Sequence, residues 1–209
     1  LDPPPENPSN YFAHKFMSNI ENLRTKNLDL DKDLLRAMFE QGKKLSKIVL
    51  PALKDHFGEY EVVATEQELY EKIDTDLDID EVYFKGYIDL VIKTPDGKYH
   101  VIDWKTCSWG WNAKRKAERM TTYQLTFYKH YYANKFDLDP KNIETYFALL
   151  KRTAKKNNVE IFRVSSGNKK TQNALNLLRK SLYNISKDNF IKNRLACSKC
   201  EFYNTAHCQ

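Results

Sequence analysis

The chain has 209 residues, of which 41% are hydrophobic, 13% aromatic and 30% charged, and its formal net charge at pH 7 is +6. This length suits one well-buried domain rather than two, and the aromatic content argues against intrinsic disorder. No apolar run approaches the roughly 20 residues of a membrane span, so we expect no membrane partner. The mild positive charge suits a polyanionic partner but does not by itself identify one.

The N-terminal part predicts an arm followed by two helices. Residues 1–10 are rich in proline and polar residues, which favours an extended arm. Apolar residues at helical spacing predict a helix from Tyr11 to about Leu23. A second helix is expected to begin near Asp31, where acidic residues complement the helix dipole, and to end at Phe57-Gly58. Pro51 is expected to kink it.

A strand and an acidic loop are predicted next. The run from Glu59 to Tyr70 predicts the strand. Residues 71–81 then carry aspartates at alternate positions, which raises the question of calcium binding. The glycine and the closing glutamate of an EF-hand loop are missing, so we interpret this run as a solvated loop.

The most informative stretch is a predicted β-hairpin in the middle of the chain. Two β-rich runs, Gly86–Ile92 and Tyr99–Lys105, flank a Pro-Asp-Gly turn. Asp103 and Lys105 project to one face because side chains two apart on a strand share a face, and the neighbouring strand brings Asp89 beside them. Burying such charges next to Ile and Val is costly unless they bind a metal or one another. The pattern therefore predicts a divalent-cation site suited to phosphodiester cleavage.

The segment after the hairpin carries candidate nucleic-acid-binding residues. Trp109 and Trp111 lie in a loop and suit the stacking of unpaired bases. For one of them, packing in the core is an equally good interpretation. Periodic apolar residues predict a helix from Ala113 to about Asn134. Four cations lie near the start of this helix, where positive charge is unfavourable for the helix dipole. Binding of nucleic-acid phosphates would explain them, and a basic solvated turn is the alternative. These cations are Lys114, Arg115, Lys116 and Arg119.

Two more strands and one more helix complete the predicted fold. The alternating runs 143–151 and 158–164, joined by a lysine-rich turn, predict a second hairpin that extends the sheet. Residues 168–186 predict an amphipathic helix. We therefore expect an α/β fold with a central mixed β-sheet flanked by helices.

Three of the four cysteines lie near the C-terminus. The Cys197-x-x-Cys200 spacing lets two thiolates bind one ion from a tight turn, and Cys208 can supply a third. Such clustering suits a metal site in a reducing compartment better than a disulfide framework. Free thiols are the alternative. Three residues stay open as the fourth ligand: His207, His14 and Cys107.

The hairpin and the helix after it resemble the RecB-like branch of the PD-(D/E)xK nuclease superfamily. The branch pattern of Gly-x-(I/V)-Asp, hairpin and Asp-x-Lys-Thr stands here as Gly86-Tyr87-Ile88-Asp89 and Asp103-Trp104-Lys105-Thr106. The branch's Gln-x-x-x-Tyr is matched by Gln124 and Tyr128. Asp-x-Lys alone is a weak signal, whereas the three pieces in order are specific. The likeness covers about Gly42 to Cys208 and extends to AddB, CRISPR adaptation nucleases and mitochondrial genome maintenance exonucleases.

The resemblance implies a restriction-endonuclease-like fold and Mg²⁺ or Mn²⁺ in the active site. The implied metal ligands are Asp89 and Asp103, with either Glu66 or the carbonyl of Trp104. Members usually place a glutamate on the preceding strand, where Glu66 matches best. Glu68 points to the same face and remains a rival, and both remain open as solvated edge carboxylates.

The resemblance also implies roles for residues around the metal. Lys105 would position or deprotonate the nucleophile and stabilise developing charge. Gln124 would orient the attacking water or the substrate phosphate, or be a buried structural glutamine, and Tyr128 would contact nucleic acid. Ser46 stands where many members carry a metal-binding histidine on the second helix. This departure removes one ligand and speaks against a cap-snatching type of ribonuclease.

Together these features predict a divalent-metal-dependent DNA nuclease of replication, recombination or repair, with a phage type open. We expect an exonuclease acting on single-stranded or end-containing DNA, recruited by a helicase or replication protein if it does not act alone. The alternatives are a catalytically inactive nucleic-acid-binding module and a ribonuclease of the same fold. The expected location is intracellular and reducing, in the cytoplasm or nucleoid, a phage-infected cell or an organelle.

The expected domain organisation has three parts. They are an extended arm (1–10), a nuclease domain (11–190) and a Cys-rich tail packed on that domain (191–209). Related nucleases with four such cysteines hold an iron–sulfur cluster, but here no cysteine lies in the first hundred residues. With His207 as the fourth ligand, Zn²⁺ is favoured over an iron–sulfur cluster.

Overall fold

Five strands form one mixed sheet in the order β1-β2-β3-β4-β5 in the computed structural model, which describes residues 7–189 and 193–208. Neighbouring strands are antiparallel except β3 and β4, which pair in parallel. The strands are β1 (Glu61–Lys72), β2 (Tyr83–Lys93), β3 (Tyr99–Cys107), β4 (Ile143–Lys151) and β5 (Val159–Arg163). Both predicted hairpins are therefore confirmed, as is the mixed α/β fold with a central sheet flanked by helices.

The described residues form five α-helices. They are α1 (Pro8–Thr25), α2 (Lys32–Phe57), α3 (Ala113–Lys116), α4 (Arg119–Lys135) and α5 (Asn168–Ser186). Helix α1 begins at Pro8, so the expected extended arm is wrong for residues 8–10. The side chain of Asn7 accepts hydrogen bonds from the N–H groups of Ser9 and Asn10, both at 3.1 Å, and proline suits the first turn. Residues 1–6 of the expected arm lie outside the described residues.

Helix α2 begins and ends close to where its sequence predicts. The carboxylate of Asp31 accepts hydrogen bonds from the N–H groups of Asp33 and Leu34, each at 3.0 Å. The helix ends at Gly58, whose φ of +72° suits glycine. It runs through Pro51 without a break in its helical assignment.

The helix predicted from Ala113 to Asn134 is divided in two. Glu118 caps α4, because its carboxylate accepts hydrogen bonds from the N–H groups of Met120 and Thr121 at 2.9 and 2.6 Å. Helix α3 is therefore a separate single turn. Of the four cations predicted at one helix start, three belong to α3 and only Arg119 lies in the first turn of α4.

Two hydrophobic clusters cover the two faces of the sheet. On the face packed by α4, buried residues include Val101, Leu125, Tyr132, Phe147 and Leu149. On the face packed by α2, they include Leu53, Leu90, Ile92, Ile102 and Tyr146. Because Asp103 and Lys105 follow Val101 by two and four residues on β3, they project to the face of α4. The candidate site therefore lies on that face.

The described part of the expected tail, residues 193–208, is mostly solvent-exposed. It contains a short 3₁₀ helix, Arg194–Lys199, and Leu195 is 97% exposed. Only Cys197 is half-buried. The expected packing of this segment on the domain is thus not seen in its described part, where Phe202 and Tyr203 are also exposed. Residues 190–192 and 209 lie outside the described residues.

Among the described helices, none is both long enough and apolar enough to cross a membrane.

Candidate active site

The site forms where β2 and β3 part. Their antiparallel pairing extends from Lys93↔Tyr99 to Leu90↔Ile102 and stops before Asp89 and Asp103. Beyond that point, the side chain of Asp89, rather than the backbone of β2, accepts a hydrogen bond from β3. Its Oδ2 accepts a hydrogen bond from the backbone N–H of Trp104 at 2.6 Å. The two aspartates, predicted from sequence to meet, are brought together at this fork.

Asp103 and Lys105 form a close charged pair on β3. Asp103 is only 2% exposed, and the Lys105 Nζ lies 2.6 Å from its Oδ2. Apart from this ion-pair contact, Oδ2 is a buried oxygen with no hydrogen-bond donor among the described residues. Burial raises the pKa of Asp103 to about 6, against the opposing effect of Lys105 and with a further upward contribution from Asp89. The Lys105 side chain is 30% exposed and is therefore accessible to a substrate.

Helix α4 supplies a glutamine–tyrosine pair to the same face. Gln124 Nε2 donates a hydrogen bond to the hydroxyl of Tyr128 at 3.0 Å. Tyr128 is buried; burial raises its pKa, and the charges of Asp103 and Asp89 act in the same direction. Gly86 permits this packing, because a Cβ there would lie 2.8 Å from the Tyr128 ring. The predicted Gly86, Gln124 and Tyr128 thus converge beside the aspartates.

The two candidate glutamates of β1 differ in position. Leu69 and Gly86 pair and face α4, so the neighbouring pair Glu68 and Tyr87 faces the opposite side. The Tyr87 hydroxyl donates to the Glu68 carboxylate at 2.9 Å there.

Glu66 interrupts the alternation of β1. It has a φ of +48°, and it lies opposite Asp89, between the pairs Thr65↔Leu90 and Gln67↔Ile88. Its side chain is exposed. Positive φ is rare for a non-glycine residue inside a strand, and such distortions gather at functional sites. The register thus places Glu66, rather than Glu68, next to the fork.

The two tryptophans after β3 have different environments. Trp111 is half-buried, with its ring 5.2 Å from that of Phe147 in an edge-on arrangement. Trp109 is 71% exposed. Thr153 holds this loop in place, because its side chain and backbone N–H donate to the carbonyl of Ser108 at 2.9 and 3.2 Å. Of the two, only Trp109 presents an open ring.

The α3 cations also differ from one another. The Arg115 guanidinium lies 5.2 Å from the centre of the Trp111 ring, and Lys114 is exposed. Lys116 instead forms an ion pair with Glu160 of β5, so part of its charge is already compensated.

Comparison with known families identifies this arrangement. The model of the PD-(D/E)XK nuclease superfamily matches residues 12–206. The chain belongs to the PD-(D/E)XK nuclease superfamily. The members of this superfamily are nucleases.

Comparisons with individual proteins show distant similarity. No curated protein matches the sequence. Among solved structures, SSO0001 is 16% identical with a TM-score of 0.45 and 93% coverage of both chains. A protein named "Putative exonuclease" from Eubacterium rectale is 11% identical with a TM-score of 0.49, over 96% of this chain and 74% of that one. The family assignment rests on the superfamily model and not on these two structures.

Superfamily nucleases generally use divalent metals such as Mg²⁺, and the fork suits such an ion. Asp89 and Asp103 provide oxygen ligands, which hard cations prefer, and among the described residues the buried Oδ2 of Asp103 contacts only the Lys105 ammonium as a donor. Within residues 7–189 and 193–208, no three His, Cys, Asp or Glu side chains are grouped to hold a metal. Further ligands would therefore come from Glu66 by a change of side-chain conformation, or from the Trp104 carbonyl.

The C-terminal cysteines do not form the expected cluster. Cys197 and Cys200 lie in one turn, where the N–H of Cys200 donates to the carbonyl of Cys197 at 3.0 Å. The described residues nevertheless contain no metal-binding group that joins them to Cys208 and His207. His207 packs edge-on against Phe202 instead. The structural Zn²⁺ or iron–sulfur cluster therefore stays a prediction from the Cys-x-x-Cys spacing alone.

Sequence reasoning missed an ion network beside the site. Glu160 binds Lys116 of α3 and the Lys151 ammonium, the latter at 3.1 Å. Lys151 is buried at the end of β4, which pairs with β3. The network therefore fixes α3 to the sheet. Glu160 and Lys116 are 44 residues apart, so no local pattern indicates their contact.

Proposed function

We propose that this superfamily member is a divalent-metal-dependent deoxyribonuclease that acts as an exonuclease on single-stranded or end-containing DNA. The observation that carries the proposal is the buried Asp103 carboxylate, held beside Lys105 and Asp89 at the fork of β2 and β3. A carboxylate in this position lowers stability, so its presence favours a catalytic role over a purely structural one. The Gln124–Tyr128 pair against Gly86 supports membership of the RecB-like branch.

The metal would be held by Asp89 and Asp103, with Glu66 or the carbonyl of Trp104 as a further ligand. When bound, Mg²⁺ or Mn²⁺ supplies Lewis acidity toward the scissile phosphate and toward a water molecule. The hydrogen bond from Trp104 N–H fixes one oxygen of Asp89 and so orients that carboxylate. The buried position of Asp103 excludes water from one side of the site.

Lys105 is the residue that we assign to the reacting groups. Its ammonium is anchored 2.6 Å from Asp103, yet the side chain remains partly exposed toward the substrate. It can donate hydrogen bonds to phosphate oxygens and so stabilise the negative charge that develops during cleavage. Phe147 forms the wall behind it, with the ring centre 5.8 Å from the ammonium. Gln124 positions Tyr128, whose hydroxyl lies near both aspartates.

The preference for unpaired DNA rests on the loop that leaves β3. Trp109 is exposed four residues after Lys105, and a base stacked on an aromatic ring contributes about 1–3 kcal/mol without regard to sequence. Lys114 and Arg115 lie just beyond this loop and suit phosphate contacts. Recruitment by a helicase or replication protein remains compatible with this assignment.

The test is a cleavage assay on end-labelled substrates. Single-stranded, duplex and circular DNA, together with RNA of the same sequence, are incubated with Mg²⁺, Mn²⁺ or EDTA. We expect linear DNA to be degraded only with metal, circular DNA to survive, and Lys105→Ala to lose at least about a hundredfold in rate. Lys141→Ala, which removes the same charge at an exposed position, is the matched control and is expected to retain hydrolysis.

Each other outcome selects a different function. Survival of every DNA substrate with binding intact would support the inactive nucleic-acid-binding module. Degradation of RNA alone would support a ribonuclease of this fold. Equal activity in Lys105→Ala would contradict the assignment of the site.

A further inference from the structure

Outside the catalytic centre, cations of three elements gather near the sheet edge at β5. Resting on the proposed function, we propose that this surface, the basic band, binds the single DNA strand that leads to the active site. The band consists of eight residues from three elements: Lys114 and Arg115 of α3, Arg152, Lys155 and Lys156 of the β4–β5 turn, and Lys43, Lys44 and Lys47 of α2.

The β4–β5 turn is attached directly to the end of the catalytic strand. The backbone N–H of Arg152 donates to the carbonyl of Cys107 at 2.8 Å. The Thr153 side chain donates to the Ser108 carbonyl at 2.9 Å. Cys107 and Ser108 follow Lys105 by two and three residues. The cations of the turn therefore lie beside the loop that carries Trp109, which directly follows the catalytic strand.

Helix α2 meets the same turn from the other side. The Lys44 ammonium donates to the carbonyl of Ala154 at 3.3 Å, across 110 positions of sequence. Lys43 and Lys47 are four residues apart and therefore lie on one face of α2. Since α2 covers one face of the sheet and the catalytic centre lies on the other, the band passes around edge strand β5.

The charge of the band is not compensated within the described residues. None of the eight cations forms an ion pair with a carboxylate in residues 7–189 or 193–208. The carboxylate between α3 and the turn, Glu160, is already bound by Lys116 and Lys151. Glu40, one turn before Lys43 and Lys44 on α2, also forms no ion pair with them. A surface of this kind attracts a polyanion.

Some lysines outside the band are compensated by carboxylates. Lys72 pairs with Glu81, Lys98 with Glu144 and Lys135 with Glu71. The band differs from exposed single lysines elsewhere, such as Lys141, Lys180 and Lys187, because eight cations of three elements, none with an ion pair among the described residues, gather at one sheet edge.

The route of the band favours a single strand over a duplex. It turns from the α4 face to the α2 face around one edge of a five-stranded sheet, which requires a sharply bent ligand. Duplex DNA is stiff over about 150 base pairs, whereas a single strand bends freely. The exposed Trp109 stands at the catalytic end of the band, where an unpaired base can stack on it.

The band predicts that affinity depends on strand length and on salt. An oligonucleotide of about 6 nucleotides fills the catalytic centre and the Trp109 loop but leaves most of the band empty, whereas one of about 30 nucleotides reaches all of it. Each phosphate contact to a single strand contributes about 0.7 to the slope of log affinity against log salt concentration. Loss of three contacts should therefore reduce that slope by about 2.

The experiment measures binding of labelled oligo-dT of both lengths in EDTA, so that hydrolysis does not interfere. Two triple variants are compared with the unsubstituted protein over a range of salt concentrations: Arg152→Ser with Lys155→Ser and Lys156→Ser, and Lys43→Gln with Lys44→Gln and Lys47→Gln. The control variant removes the same charge elsewhere, through Lys141→Ser, Lys180→Ser and Lys187→Ser, which are exposed residues of the described chain. Circular dichroism verifies that all variants fold.

We expect each band variant to bind the long strand at least about tenfold more weakly at low salt, with the slope reduced by about 2. Binding of the short strand should change by less than about twofold, and the control variant should match the unsubstituted protein in both assays. A band variant with the slope and affinity of the control would overturn the proposal, as would stronger binding of duplex than of single strands.

The binding assay and the cleavage assay can fail separately. A protein that binds the long strand through the band but hydrolyses nothing retains the present inference and loses the nuclease assignment. A protein that hydrolyses DNA with no contribution from the band has the reverse outcome.

Discussion

The buried carboxylate of Asp103 is expected to lower the stability of the protein and to be required for hydrolysis. The Asp103 carboxylate is buried on the face of α4, its Oδ2 has no hydrogen-bond donor among the described residues apart from the Lys105 ion-pair contact, and its pKa is raised to about 6. In the metal-free protein, Asp103→Asn should therefore raise the free energy of unfolding at neutral pH, by up to about 3 kcal/mol. The same substitution should abolish hydrolysis. Urea denaturation in EDTA and the cleavage assay measure the two effects.

The control for Asp103→Asn is Asp78→Asn, which removes an exposed carboxylate from the acidic loop. It should change stability by less than about 0.5 kcal/mol. Mg²⁺ should raise the melting temperature of the unsubstituted protein and of Asp78→Asn but not of Asp103→Asn, since only the first two retain the site. A destabilised Asp103→Asn would mean that the carboxylate supports the fold.

Gly86 is constrained by the close approach of Tyr128. Gly86→Ala places a Cβ 2.8 Å from that ring, so Tyr128 must move and Gln124 with it. We expect a loss of about 1–3 kcal/mol in stability and a lower cleavage rate. The matched control is Gly167→Ala, where an added Cβ meets nothing within 4 Å. Thermal unfolding and initial rates report on both, and a fully active, stable Gly86→Ala would show that Tyr128 needs no fixed position.

At the scale of elements, the loop after β3 holds two tryptophans with separate roles. Trp109→Ala should weaken binding of single-stranded DNA by about 1–3 kcal/mol and leave the melting temperature unchanged, because this side chain is 71% exposed. Trp111→Ala should lower stability by about 3 kcal/mol, because it removes the ring packed on Phe147 and Phe162. Fluorescence anisotropy and thermal unfolding distinguish the two. The opposite pattern would contradict the stacking role.

The end of α2 packs on the start of β3 through a buried histidine. His100 lies between the rings of Phe57 and Tyr146, and Thr94 contacts its Nε2 at 2.8 Å. Its Nδ1 is buried and has no hydrogen bond to any of the described residues. Burial lowers its pKa, although Glu144 and Asp96 oppose this effect, while Lys98 and His56 add to it.

The neutral form of His100 is therefore favoured in the folded protein. Its contribution to stability is complete above the ordinary pKa of 6.5 and is lost as the pH falls through the lower folded value. Stability should thus decline from pH 7 to pH 5 more steeply in the unsubstituted protein than in His100→Gln. Because burial also lowers the pKa of His56 and His130, the test is the difference between the two urea-denaturation series. Equal slopes of stability against pH in the two proteins would show that protonation of His100 does not reduce the free energy of unfolding.

Sequence patterns predicted elements whose determinants are local. The alternation around Asp103 and Lys105, with the Pro-Asp-Gly turn before them, predicted the hairpin and the shared face. The break between α3 and α4 was missed, because the helical periodicity continues across it and only the capping bonds of Glu118 reveal it. The positive φ of Glu66 was also missed, since it depends on the distortion opposite Asp89 and has no signature in β1 itself.

For the whole molecule, the parallel pairing of β3 and β4 decides what lies near the site. It places the β4–β5 turn next to the end of the catalytic strand, although Thr153 and Ser108 are 45 residues apart. The lysines of that turn were visible in the sequence, but their neighbours were not. Contacts of this kind depend on strand order, which no periodicity or spacing encodes.

The C-terminal segment tests where the folded domain ends. Residues 193–208 are almost entirely exposed, so a variant that ends at Lys187 should unfold within about 1 kcal/mol of the full chain in urea. It should also retain cleavage of linear DNA, because no residue of the fork contacts this segment in the described structure.

Metal analysis of both proteins by mass spectrometry tests whether the cysteines bind a metal. If the Cys-x-x-Cys prediction holds, the full chain carries bound zinc or iron that Cys197→Ser with Cys200→Ser removes, and truncation then costs several kcal/mol, since metal binding couples to folding. Equal stability without bound metal would place the end of the domain at α5.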